Sequence, residues 1–167
     1  WFESRKEVNL ADYLDLVALG TVADVVPLDQ NNRRLVTEGL KRIRAGRARP
    51  GLLAMLSVAG VDPEFLTSRD LAFSIAPRLN AAGRLQDMTV GIECLMATGD
   101  RARELAEHLD ALNRERREIE SDMRDKAMAV LSGISVENSK TAGICLYDAA
   151  WHQGVVGIVA SRIKEKS

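Results

Sequence analysis

The sequence predicts a mostly α-helical chain that ends in the opening of an α/β unit. Three observations carry that prediction. Apolar residues recur every three or four positions up to Gly133, the spacing of one helix face. A charged stretch, 100–132, keeps that spacing without a glycine or proline. After Gly133 the pattern changes to an apolar run, a glycine-bearing turn and a second apolar run, the order of a strand, a turn and a helix.

Asn9 is placed to cap a first helix over 10–19, with Leu10, Leu14 and Val17 on one face and Gly20 as its stop. Residues 22–28 then read as a short buried strand or a tight connection closed by Pro27. A second helix is predicted over 32–45, turning Val36, Leu40 and Ile43 inward and Arg34, Lys41 and Arg44 onto another arc, with Gly46 ending it. Pro50 suits the first turn of a third helix that stops at Gly60. Ser68 and Asp70 favour a helix start, and the run 71–76 meets Pro77, where a helix is expected to break. Another helix fits 88–97, stopped by Gly99.

The stretch 100–132 would form a rod of roughly 50 Å at 1.5 Å per residue. Its stripe of Leu105, Leu109, Leu112, Ile119, Met123 and Val130 has one slot filled by Arg116. One apolar stripe on so long and charged a helix fits a bridge between two domains, with a homodimeric coiled coil as the other arrangement. The polar run 137–140 marks a break, 141–146 reads as a strand, and 155–163 starts a helix.

The 167 residues are 46 % apolar and 28 % charged, the balance of a globular helical or α/β protein. No apolar run approaches the roughly 20 residues that span a bilayer, so a cytoplasmic protein without a membrane partner is expected. Cys94 and Cys145 are the only cysteines, too few for a disulfide framework or a CxxC metal site. The chain opens on Trp1 and stops at Ser167 inside a helical pattern, as a piece of a longer protein would. The net charge of −1 argues against a globally basic nucleic-acid binder, yet 33–49 holds seven basic residues against Glu38 alone. Such a patch fits a phosphate-bearing partner, a protein partner or a solvated helix face.

Three segments carry candidate chemistry. Asp24 is a lone carboxylate in Leu-Gly-Thr-Val-Ala-Asp-Val-Val-Pro-Leu, 19–28. Buried there, it needs a backbone amide, an arginine or a metal ion as partner. In 77–84, Arg78, Asn80 and Arg84 surround small residues that allow close backbone approach. In 151–162, Gly154 and Gly157 sit at a strand-to-helix turn, where amides and the helix dipole favour an anion. His152 precedes that turn as a phosphate donor or an ordinary turn residue. Ser161 and Arg162 lie further into the helix.

Taken in order, these three motifs and the long charged helix resemble the DHH/DHHA1 phosphoesterase family, in particular its single-strand-specific 5′→3′ exonucleases. The resemblance covers the whole chain. It implies the C-terminal part of a DHH domain over 1–99, a connecting helix over 100–133 and the N-terminal part of a DHHA1 domain over 134–167, drawn from an α/β parent. It implies a metal-dependent exonuclease degrading single-stranded DNA from the 5′ end in repair and recombination, with Mn²⁺ or Mg²⁺ as cofactor. Asp24 would be a catalytic metal ligand. Arg78, Asn80, Arg84, His152, Gly154, Gly157, Ser161 and Arg162 would bind the strand. A single-strand-binding protein or a helicase would be a protein partner.

Two other functions stay open: a phosphodiesterase for oligonucleotides or cyclic dinucleotides, and a non-catalytic scaffold binding nucleic acid or protein. The family's Asp-His-His motif is missing, since His108 and His152 are the only histidines. One carboxylate cannot satisfy two divalent cations, whose shells need many ligands. The piece alone is therefore expected to be inactive, and its cut surfaces to favour self-association.

Overall fold

A computed structural model describes residues 9–133 and 143–165. Among these residues every regular element is helical, which bears out the mostly helical class. The Asn9 side chain accepts a hydrogen bond from the Ala11 N–H and starts a 3₁₀ turn, Leu10–Tyr13, that continues as α1, Leu14–Ala23. Gly20 therefore lies inside α1 rather than ending it. Of the two readings of 22–28, the buried strand is absent and the connection is present: Val22 and Ala23 finish α1, and the residues after them form an exposed link.

Helix α2, Gln30–Arg44, begins two residues earlier than expected because Asp29 is the cap and accepts from the Asn32 N–H at 2.8 Å. Val36 and Ile43 are buried, as the spacing predicted. Its crossing with α1 is tight. A Cβ on Gly39 would stand 2.2 Å from the Leu14 carbonyl oxygen and 2.5 Å from the Ala18 Cβ, so only glycine admits this approach. Helix α3, Pro50–Val58, presses Gly51 against the Cys94 carbonyl in the same way.

Thr67 caps α4, Ser68–Asp70, through a reciprocal pair of bonds with Asp70. Pro77 does not stop the helix that follows. A π-helical turn, Leu71–Ile75, comes first, with the Ala76 N–H donating to the Leu71 carbonyl, and α5, Ala76–Leu85, continues through the proline. The wider turn relieves the clash and missing donor that a proline brings to a regular helix. The motif over 77–84 is thus helical.

Helix α6, Thr89–Met96, leads to α7, Gly99–Ser132, a single helix of 34 residues. Leu105, Ala106, Leu109 and Leu112, in its N-terminal half, close the core formed with α1, α3, α5 and α6. Met123 and Ala127 in its C-terminal half pack instead on Val155 and Val159, which bracket the start of α8, Val156–Lys164. The bridge expected of this helix is therefore between two apolar clusters. Of the strand predicted over 141–146, residues 141 and 142 lie outside the described residues, and 143–148 form no strand. The polar run 137–140 also lies outside them.

Helix propensity and packing make opposite predictions at Gly39. Alanine gains about 1 kcal/mol inside an isolated helix, whereas overpacking a tight contact costs typically 1–3 kcal/mol. The backbone contact with Leu14 cannot yield as a side chain would, so Gly39→Ala is expected to lower the melting temperature. A rise would show that the crossing of α1 and α2 is looser than described.

Candidate functional site

Asp24 closes α1. The Val26 N–H donates to the Thr21 carbonyl and the Val25 N–H to the Val22 carbonyl, the paired bonds of a Schellman ending. That ending puts Val25 at a φ of 53°, where glycine is usual and a β-branched residue costs roughly 1–2 kcal/mol. Val25 is 86 % exposed, so packing does not explain its presence. Asp24 is exposed too, and its carboxylate has no hydrogen bond or ion pair among the described residues. The premise that Asp24 is buried is therefore corrected: solvent carries its charge. The carboxylate that is buried is Asp15, 1 % exposed, which accepts from the Arg49 N–H at 2.8 Å and the Leu16 N–H at 2.9 Å.

The structure brings the second and third motifs together. Arg84, at the end of α5, donates from Nη1 to the Gly154 carbonyl at 3.1 Å. A Cβ on Gly154 would fall 2.2 Å from the Arg84 carbonyl oxygen, so this glycine is required by close approach to α5. The Gly154 N–H donates to Nδ1 of His152 at 3.1 Å, and the His152 carbonyl accepts from the Val155 and Val156 N–H groups. With Nδ1 accepting, the neutral ring carries its proton on Nε2. Gly157 differs from Gly154: it is exposed, with open space where its Cβ would be.

Arg78 and Arg84 have different surroundings. Arg78 is only 13 % exposed, 2.8 Å from Asp110 of α7, and it also donates to the Ser74 carbonyl. It ties α5 to α7. Arg84 and Asn80 are exposed, and Ser161 is exposed on α8.

A charged group at the junction of the two apolar clusters is not among the sites that the sequence marks. Arg116 donates from Nη1 to Glu120 Oε2 at 2.6 Å and from Nη2 to Asn113 Oδ1 at 3.2 Å, while its Nε is buried with no partner among the described residues. Burial pushes the Arg116 pKa down, and the neighbouring Arg117 and Arg84 charges act in the same direction, against the pull of Glu120. The other Glu120 oxygen, Oε1, lies 3.5 Å from Arg162 Nε of α8. The available sequence signal is the arginine interrupting an apolar stripe with a glutamate four residues on.

The basic window is largely used by the fold. Arg33 donates to the Leu28 carbonyl, Arg42 pairs with Asp12, Arg44 donates twice to the Leu66 carbonyl, and Arg49 lies over the Tyr13 ring. Lys41 pairs with Glu38 at the surface. Arg34 and Arg47 have no partner among the described residues. The donor set for metal is also thin: no group of three or more His, Cys, Asp or Glu side chains stands close enough to hold an ion among the described residues. Asp24 alone does not fit a dinuclear centre. No described helix is long and apolar enough to cross a membrane.

No family model matches the chain. It is 55 % identical over 172 residues to the single-stranded-DNA-specific exonuclease RecJ of Dickeya dadantii (strain 3937), covering 99 % of this chain and 30 % of that relative. It is 52 % identical over 170 residues to the RecJ of Escherichia coli (strain K12), again over 99 % of this chain and 30 % of the relative. The chain thus spans about 30 % of the length of these curated relatives. Among solved structures, RecJ of Thermus thermophilus in complex with Mn²⁺ is similar at a TM-score of 0.81 and 39 % identity, over 94 % of this chain and 23 % of that one. A crystal structure of exonuclease RecJ bound to manganese is similar at 0.80 and 39 %, over 93 % and 38 %.

The two motif glycines should respond oppositely to alanine. Gly154→Ala is expected to destabilise the chain by about 1–3 kcal/mol, because it overpacks against backbone. Gly157→Ala, with room for its methyl, is expected to be neutral or to gain up to about 1 kcal/mol of helix propensity. Equal thermal shifts for both would remove the distinction between a packing glycine and an open one.

Proposed function

We propose, from a chain that is a segment of the RecJ family, that it supplies the strand-facing middle of a metal-dependent exonuclease that degrades single-stranded DNA from the 5′ end in repair and recombination. The observation that carries this reading is the bond from Arg84 to Gly154, 70 residues apart in the chain, which sets two sequence motifs on one surface. On that surface Arg84 and Arg162 neutralise backbone phosphates, and His152 offers its Nε2 proton to a phosphate oxygen. Asn80, Gly157 and Ser161 line the exposed approach. Contacts of this kind position a strand without reading bases, so binding is sequence-tolerant and weakens steeply with salt. Arg78 contributes by holding α5 against α7.

We assign 1–99 to the end of a DHH domain, 100–133 to the connector and 134–167 to the start of a DHHA1 domain. Asp24 is the carboxylate this segment contributes to the Mn²⁺ or Mg²⁺ site, and the remaining ligands belong to the rest of the parent. Its exposure, and the strained valine that fixes the chain direction beside it, support that role. The parent acts in the cytoplasm. A single-strand-binding protein or a helicase is the partner class that would deliver its substrate. The isolated segment is inactive, and its open apolar groove between α7 and α8, of about 820 Å³, favours self-association.

Release of nucleotides from 5′-labelled single-stranded DNA with Mn²⁺ tests the assignment, comparing this chain with the complete protein. Activity is expected only in the complete protein, and Asp24→Ala in it is expected to abolish turnover while sparing most of the strand affinity. Turnover by this chain alone would refute the account of the missing ligands. A complete protein that cleaves only dinucleotides would refute the exonuclease reading.

A further inference from the structure

Arg162 lies on α8, the element that joins the body of the chain through a small apolar cluster. Its side chain is 60 % exposed, and its one ion pair among the described residues is with Glu120 at 3.5 Å. Glu120 is 12 % exposed and uses its two oxygens differently, Oε2 on Arg116 of its own helix and Oε1 toward Arg162. Arg116, itself 13 % exposed, also donates to Asn113. Asn113, Arg116 and Glu120 stand three and then four residues apart, on one face of α7. The carboxylate is therefore fixed from behind by its own helix, and it presents its remaining oxygen across the junction.

An arginine on a short helix has many rotamers, and ordering it costs entropy each time a phosphate is bound. A fixed carboxylate against Nε removes part of that cost while leaving the two Nη groups for a ligand. We propose that Glu120 is a positioning residue: it orients Arg162 toward the phosphate backbone of a single strand, and Arg116 holds Glu120 for that task. The inference rests on the reading of this surface as strand-binding. It adds a residue outside the three motifs, and it makes α7 part of the strand site.

The test uses the complete protein, with strand affinity measured without metal by anisotropy of a labelled oligothymidylate and turnover measured with Mn²⁺. Glu120→Gln is expected to raise both Kd and KM about tenfold, the size of one lost oriented contact, with kcat within about twofold. Arg162→Gln is expected to do the same, and the double variant to be no weaker than Arg162→Gln alone within about twofold, because the first residue acts through the second. Glu120→Asp, which keeps the charge and shortens its reach, gives the same cycle with a smaller effect if Glu120→Gln does not fold. Multiplying effects in the double variant, or a fall in kcat and melting temperature with KM unchanged, would overturn the assignment. A wild-type protein that binds the strand without releasing nucleotides would refute the exonuclease reading and leave the affinity cycle to decide Glu120. Failure to bind the strand at all would refute both.

Discussion

A 34-residue helix with one apolar stripe has to find partners for that stripe along its whole length, and the rest of the molecule follows from how α7 does so. Its first half is covered by three shorter helices, α3, α5 and α6, its second half by α8 and the turn before it. Between the two stand Arg116 and Glu120, mostly buried and paired at 2.6 Å. Replacing such a pair by apolar residues is often stabilising, whereas removing one partner is strongly destabilising. A charged pair at this point is therefore weak evidence for stability. It marks where one cluster stops, and it gives α8 a polar contact on α7.

The same distinction between used and open charge sorts the arginines. Arg33, Arg42, Arg44 and Arg78 spend their guanidinium groups on carbonyls or carboxylates of the chain itself. Composition locates the densest basic window on and just after α2, but that window mainly closes the C-terminal end of α2 onto neighbouring segments. Arg34 and Arg47 stay open in that window, but open positive charge also gathers where α5 ends against the 152–154 turn, a place that no linear window shows because its residues come from distant parts of the chain. Among the described residues Arg84 makes a single hydrogen bond there and Arg162 one ion pair, and both side chains are exposed.

Much of this is legible in the sequence. The 3.6-residue spacing places α2, α3, α6, α7 and α8 within a few residues, and Asn9 and Gly60 act as the cap and stop that their chemistry suggests. The misses share a cause, the competition between a local signal and a longer-range one. Asp29 caps α2 and starts it two residues before the position that the apolar spacing suggests. Pro77 reads as a break because the wider π turn that accommodates it leaves no mark in composition. Asp24 reads as buried because its neighbours are apolar, but a helix ending in a left-handed valine turns that segment into solvent; the buried carboxylate, Asp15, sits in a more ordinary helical pattern. Glu120 goes unmarked because an i,i+4 ion pair on a charged helix is commonplace until a second helix is seen to use it.

The proposed strand surface is the meeting of α5 with the 152–154 turn, and not the basic helix α2. Hydrogen exchange of the complete protein, without metal and with or without single-stranded DNA, tests this most directly. Slower exchange in peptides covering 78–88 and 150–158, with 33–49 unchanged, is the expected result. Protection confined to 33–49 would contradict it and return the nucleic-acid contact to the basic window.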